Sequence, residues 1–176
     1  MTDIITDFVT GKQIHLVGAE ENRQRVERFL VEEKGFQKSD IEVGLPIRVS
    51  LPDGIYESRV DLVVKDALGA MAMVIKCAAG SLGSRERETI AAARLLTAYQ
   101  LPYAVVSDGK TAVVFDPLSG KSLGTGLEWI PDQQTLTRHM ASIPRVCLDK
   151  GRSYREGLIF KSYDAMNMNV LQRPGD

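Results

Sequence analysis

The stretch RVDLVVKDALGAMAMVIKCA, residues 59–78, decides how the rest of the chain is read. Its first half is rich in valine and leucine. Asp66-Ala67-Leu68-Gly69 is a turn signal, because Asp folds back onto nearby backbone N–H groups and Gly tolerates left-handed backbone. Residues 70–78 are an almost continuous apolar run, as expected of a central strand covered on both faces. Lys76 is the one charge in that run. Upstream, residues 41–51 (IEVGLPIRVSL) and 57–65 (ESRVDLVVK) flank Pro52-Asp53-Gly54, which predicts a β-hairpin. Downstream, Gly80 and Gly83 close the central strand.

Further out, residues 20–34 read as a helix, with Val26, Phe29, Leu30 and Glu33 at helical spacing. Acidic residues lead it, which suits the positive end of the helix dipole, and Gly35 ends it. Residues 84–100 read as a second helix whose alanines allow close approach to a sheet. Residues 103–108 read as a buried strand, and Asp108-Gly109-Lys110 turns into 111–116, expected to be a short edge strand. Pro117-Leu118-Ser119-Gly120 and a glycine-rich connector lead to Trp129. A short helix is expected over 132–145, while residues 152–168 fit a strand or a helix. The first residues, to Val17, form an extended lead-in with a turn at Thr10-Gly11, and 173–176 are expected to fray. The order is helix, β-hairpin, strand, helix, strand, strand: an α/β fold with a mixed central sheet flanked by helices.

The 176 residues suffice for a single domain, 1–176, with a buried core. An apolar fraction of 44% and a charged fraction of 26% are globular proportions. No apolar run approaches the roughly 20 residues of a membrane span. The start lacks signal-peptide architecture, so no membrane association and a cytoplasmic location are expected. Cys77 and Cys147 have neither metal-ligand spacing nor a disulfide framework, and each is expected to be a reduced, partly buried small hydrophobe. His15 and His139 have no i,i+4 partner, which argues against zinc. A net charge of −1, from 22 Lys+Arg and 23 Asp+Glu, argues against a strong stand-alone phosphate binder. Any nucleic-acid footprint must be a local patch.

On this order lie Glu20-x-x-Arg23-Gln24, Leu30, Gly35-Phe36, Arg59-Val60-Asp61-Leu62-Val63-Val64 and Lys76-Cys77-Ala78. Then follow Ala93-Arg94-Leu95-Leu96, Leu101-Pro102-Tyr103 through Asp108-Gly109, and Ser119-Gly120-Lys121. In this order and spacing they resemble the N-terminal nuclease domain of type I restriction enzyme R subunits, within the PD-(D/E)XK superfamily. The core of the resemblance is 18–131, and 132–176 is expected to be a C-terminal extension packing on it. The resemblance implies a restriction-endonuclease-like fold. In active members it implies a site where an Asp on the second hairpin strand and the Glu of an E-x-K strand bind divalent metal. The Lys two residues on positions the attacking water, and a first-helix acid assists. Phosphodiester hydrolysis needs a metal to stabilise developing charge and acidify a bound water. The one-residue gap works because alternate strand residues share a face.

Carried over residue by residue, Asp61 takes the metal-ligand position and Glu20 the first-helix acid. Lys76 stands where the glutamate belongs, and Ala78 where the lysine belongs. Asp61, Glu20 and Lys76 are therefore expected to form a vestigial site, with Asp61 a metal ligand only if metal is bound. The resemblance implies a catalytically impaired domain that serves as a DNA-binding or protein-interaction module, with no cofactor. One alternative is an active, Mg²⁺-dependent endonuclease in which Glu20, Glu21 or Glu42 replaces the missing carboxylate. Another is a structural or oligomerisation protein without nucleic acid. Candidate partners are double-stranded DNA, a protein, or a second copy of the chain.

Lys76 is expected to pair with Asp61, because both lie on otherwise apolar strands; the competing reading is two solvated groups at a sheet edge. Arg85, Arg87 and Lys110 are candidate nucleic-acid contacts, against a solvated helix face with Glu86 and Glu88 as i,i+3 partners. Arg94, within an Ala/Leu face, needs a partner if buried. Ser81-Leu82-Gly83-Ser84 reads as an anion-binding nest or, more simply, as an approach to a Ser84 N-cap. Tyr99, Tyr103 and Trp129 show no interleaving with basic residues of the kind that stacks single strands.

Overall fold

Turn chemistry and strand alternation build the sheet. In the computed structural model, which describes residues 3–171, β3 (Ile41–Leu51) and β4 (Gly54–Lys65) form the predicted hairpin around Pro52-Asp53. The expected fraying of 173–176 lies outside the described residues. At the next turn Asp66 Oδ1 accepts from the N–H groups of Leu68 and Ala70, and the chain enters β5 (Met71–Cys77). β6 (Tyr103–Ser107) is parallel to β5, so the connection crosses over through α2 (Glu86–Leu95). β7 (Ala112–Asp116) and β8 (Lys121–Thr125) complete a six-stranded mixed sheet, ordered β3-β4-β5-β6-β7-β8. The edge is therefore β8, and the expectation that residues 111–116 form it is corrected. All but one residue of β8 are exposed, so the segment has no apolar alternation to betray a strand.

Helices cover both faces. Val26 and Leu30 of α1 (Glu20–Glu32) and Leu136 and Met140 of α3 (Gln133–Ser142) join one core with Met73, Ile75, Cys77 and Val105. Ala91, Ala92 and Ala93 of α2 and Phe160 of α4 (Lys150–Leu171) join the other with Val74, Ala104 and Val106. β5 and β6 alternate between the two cores, which is why residues 70–78 read as continuously apolar. The tail is a helix. Its buried face is Glu156, Phe160 and Asp164, at i, i+4 and i+8, so polar residues conceal the helical period. A Cβ on Gly157 would stand 2.6 Å from Val49 Cγ1, so only glycine lets α4 lie this close to β3. Cys77 is buried as expected, but Cys147 is exposed. Among the described residues no helix is long and apolar enough to cross a membrane.

The lead-in forms a small hairpin, β1 (Ile4–Thr6) with β2 (Gln13–His15), held to α1 by buried charge. Arg23 Nη1 lies 2.7 Å from Asp7 Oδ2, and the same guanidinium pairs with Glu20 and Glu27. Burial would raise the Asp7 pKa, but hydrogen bonds from Thr10, Gln24 and Arg23 bring it down to about 2. Burial, opposed by Arg23 but reinforced by the Asp7 charge, pushes Glu27 up to about 7.

Native Glu27 thus keeps its proton to about pH 7, whereas unfolded Glu27 loses it near 4.5. Between those values the native state binds more protons, so this group's contribution to stability falls as pH rises. Relative to Glu27→Gln, the wild-type protein should lose on the order of 1–3 kcal/mol between pH 5 and 7.5. Denaturant unfolding at the two pH values measures this, and parallel profiles for the two proteins would refute it. Gly157→Ala should lower stability by about 1–3 kcal/mol through overpacking against Val49, despite alanine's better helix propensity. A rise in melting temperature would contradict the close approach.

Candidate functional site

Asp61 and Lys76 face each other across β4 and β5, one step beyond the Leu62↔Ile75 pair. Directly opposed residues of an antiparallel pair project to the same side, here the side of α2 and α4. Alternation along β4 breaks at this point. Tyr56 and Val60 pack in the α2/α4 core, Leu62 in the α1/α3 core, and Val63 in the α2/α4 core again. Gly44, in the left-handed region at φ +66°, sits on β3 between the pairs that bracket Asp61. The register is unchanged across this irregularity, and Val60 and Asp61 both line the wall of one cavity.

Lys76 Nζ lies 3.6 Å from Asp61 Oδ1, with side-chain exposures of 22% and 26%. Asp61 Oδ2 accepts from the Cys77 N–H at 2.7 Å. Burial pulls the Lys76 pKa down, but Asp61, Glu88 and Asp164 outweigh it and hold it above the ordinary value. Glu88 lies in the first turn of α2 and is 2% exposed; burial pushes its pKa up against the pull of Lys76. Its Oε1 accepts from Asn167 Nδ2 at 2.6 Å and lies 3.6 Å from Arg85 Nη1. Among the described residues its Oε2 is buried with no hydrogen-bond partner. Asp164, on α4, accepts from the Tyr56 hydroxyl at 2.6 Å. Asp61, Lys76, Glu88 and Asp164 line a cavity of about 10 Å³, the size of one water. To one side an open groove of about 580 Å³ carries Arg48, Arg59 and Lys76. To the other, a groove of about 320 Å³ carries Glu20, Lys76, Arg85 and Asn167.

The candidate residues are only partly brought together. Glu20 shares the second groove with Asp61 and Lys76, but it is engaged by Arg23 Nε at 2.9 Å. Glu21 pairs with Arg25, and Glu42 with Lys65 at 2.7 Å, so both are engaged elsewhere. Arg85 reaches the site but is paired with Glu88. Arg87 lines a separate groove with Arg94 and Glu156, and Lys110 is exposed on the β6–β7 turn, whose Gly109 abuts α1. The three cations form no common patch. Arg94 has its partners, Glu156 Oε1 at 2.6 Å and the Pro117 carbonyl at 2.7 Å. Ser84 does not cap α2: its hydroxyl donates to the Ser81 carbonyl within a 3₁₀ approach, and Arg85 occupies the N-cap. Glu88, Asp164, Asn167 and Tyr56 were not candidates in the sequence. Glu88 reads as one of several alternating surface charges, and Asp164-x-x-Asn167 lies in a tail without apolar period.

This donor set does not suit Mg²⁺, which wants near-octahedral oxygen. An ammonium stands beside Asp61, Ala78 offers no polar atom, and among the described residues no three His, Cys, Asp or Glu are placed to hold a metal. What the arrangement does is neutralise a buried-strand lysine with acids from three elements.

Comparison with known proteins gives this geometry its context. A fragment described as an HsdR subunit of a type I restriction enzyme from Vibrio vulnificus YJ016 has a similar fold, at TM-score 0.55 and 18% identity. The alignment covers 89% of this chain and 33% of that one, so the chain spans about a third of the fragment's length. No curated protein matches the chain. Residues 18–131 match the family described as type I restriction enzyme R protein N terminus. The chain belongs to that family.

Proposed function

We propose that this domain is a non-cleaving member of the R-protein N-terminal family, a PD-(D/E)XK fold turned into a cytoplasmic module that docks duplex DNA within a larger assembly. The observation that carries this reading is Lys76, whose ammonium sits 3.6 Å from Asp61 where the family resemblance calls for a metal-binding glutamate. A positive charge there repels a divalent cation, and Ala78 positions no water. The docking surface is the open groove beside it, where Arg48 and Arg59 flank Lys76. Arg48 is paired with Glu57 at 2.7 Å, so only a few phosphates can be neutralised. That supports modest, electrostatic binding.

A second reading has one specific observation behind it. Glu88 and Asp164 add carboxylates beside Asp61, and among the described residues Glu88 Oε2 has no partner. Migrated acids of this kind would serve an active, Mg²⁺-dependent nuclease.

Supercoiled plasmid incubated with the protein and Mg²⁺ or Mn²⁺ should stay supercoiled across a protein titration. Metal-dependent nicking that Asp61→Ala abolishes would establish the active reading instead. Duplex binding should weaken with salt at a log–log slope of about −2 to −3, the signature of two or three phosphate contacts. Binding that ignores salt would remove DNA from the proposal. Asp61→Ala should lower stability by about 1–3 kcal/mol, because it leaves the Cys77 N–H unsatisfied and Lys76 short of a counter-charge. In a chain of this size that is a fall of several degrees in Tm. An unchanged Tm would show that the pair does not hold the strands.

A further inference from the structure

The last helix is built inside out. An amphipathic helix ordinarily turns its apolar stripe to the core and its polar face to water. α4 instead buries Glu156, Phe160 and Asp164, and leaves Tyr154, Leu158 and Met166 outside at 43%, 40% and 61% exposure. Opposite the buried face lie Gly151, Arg155, Leu158, Ser162 and Ala165, spaced alternately by four and three residues. That is the seam spacing of paired helices. The charges of α4 are as uneven as its apolar residues. Lys150, Arg152 and Arg155 are exposed in its first half, at the positive end of the helix dipole, where Asp149 caps the helix. Residues 165–171, AMNMNVL, carry no charge and form the negative end.

We infer that the outer face of α4 is a homodimer interface, on which a second copy lays the same helix antiparallel about a two-fold axis at the level of Phe160. That axis sets Leu158 of each copy against Ser162 of the other, and Arg155 against Ala165, so a large side chain meets a small one. The basic first half of each helix lies along the uncharged second half of its mate, beside the negative end of that helix's dipole. A parallel pairing would instead set the cations against their counterparts. Lys161 falls close to the axis, and its charge is already met by Asp53 at 2.8 Å. An acidic partner protein would answer the cations, but it would not account for a seam that fits its own inverse. A mate seated here also presses Asp164 and Asn167 onto Lys76 and Glu88, bracing the site from outside.

The test is sedimentation equilibrium of the full chain between micromolar and near-millimolar concentration. Wild-type protein should approach twice the chain mass, and its Tm should rise with concentration. L158E buries a carboxylate of each copy at the axis, so it should weaken dimerisation at least about a hundredfold, with an unchanged circular dichroism spectrum. Wild-type protein that stays monomeric throughout overturns the proposal, as does L158E that dimerises like wild type. The register is tested by oxidation with glutathione disulfide in a C147S background, which removes the exposed thiol. An equal mixture of R155C and A165C should crosslink. Neither alone should, because two copies of either position lie about 15 Å apart along the helix axis, beyond the reach of a disulfide. A mixture that fails to crosslink, or a single variant that crosslinks as well as the mixture, overturns the antiparallel pairing. If L158E does not fold, the mixture decides. Neither nicking nor duplex binding enters the test, so a monomer would end this proposal while sparing the functional reading, and nicking by a dimer the reverse.

Discussion

A charged ammonium on a strand covered from both sides must be compensated, and the compensation of Lys76 organises this half of the molecule. Removing a charge from water costs several kcal/mol unless it is paired and hydrogen-bonded. Asp61 is recruited from the adjacent strand, Glu88 from the crossover helix and Asp164 from the last helix. Each acid then needs its own support, and the secondary contacts follow: the Cys77 N–H for Asp61, Asn167 and Arg85 for Glu88, Tyr56 for Asp164. The left-handed backbone of Gly44, opposite Asp61, marks the point where alternation breaks and Asp61 comes to the same face as Lys76.

The end of β5 is consequently where the two faces of the sheet communicate. Lys76 points to α2 and α4, while Cys77 packs in the α1/α3 core. The Cys77 backbone donates to Asp61, and the Ala78 carbonyl accepts from Asn22 of α1 at 2.7 Å. Three successive residues therefore bind elements on both sides. Arg23 and its three acids anchor α1 to the lead-in hairpin on one side. The Lys76 network anchors α4 on the other. α4 gains further polar attachment from Arg94–Glu156 and Lys161–Asp53, with Phe160 supplying the apolar contact. A helix held this way cannot advertise itself through an apolar stripe.

That explains what was legible in the sequence and what was not. The hairpin, the central strand and the first helix follow from local signals: Pro52-Asp53-Gly54, the apolar run to Ala78 broken only by Lys76, and the spacing of Val26 and Leu30. β8 was missed because an exposed edge strand has no buried side to alternate with. Asp61 and Lys76 could be matched because strand register is local, two segments joined by one turn. Glu88, Asp164 and Asn167 could not, because their roles depend on long-range packing of α4 against α2. The candidate cations are not brought together, for a related reason. Arg85 looks free in sequence until Glu88 proves to be a buried acid instead of a surface one, and Lys110 is drawn off to the α1 side by the β6–β7 turn.

The near balance of charge, −1 over the chain, fits this arrangement better than it fits an independent DNA binder. Asp61 and Glu88 lie beside Lys76 and Arg85, so on the proposed reading these two cations are only partly available to nucleic acid. What remains at the groove is Arg59 and a partly committed Arg48. Counterion release from two or three phosphates gives weak binding at physiological salt. Weak binding still matters if the domain is held near DNA by another part of an assembly, because tethering raises the effective concentration without any new contact. On the proposed reading, then, the substitution that silences the site also lowers the domain's own affinity, so its contribution depends on the company it keeps.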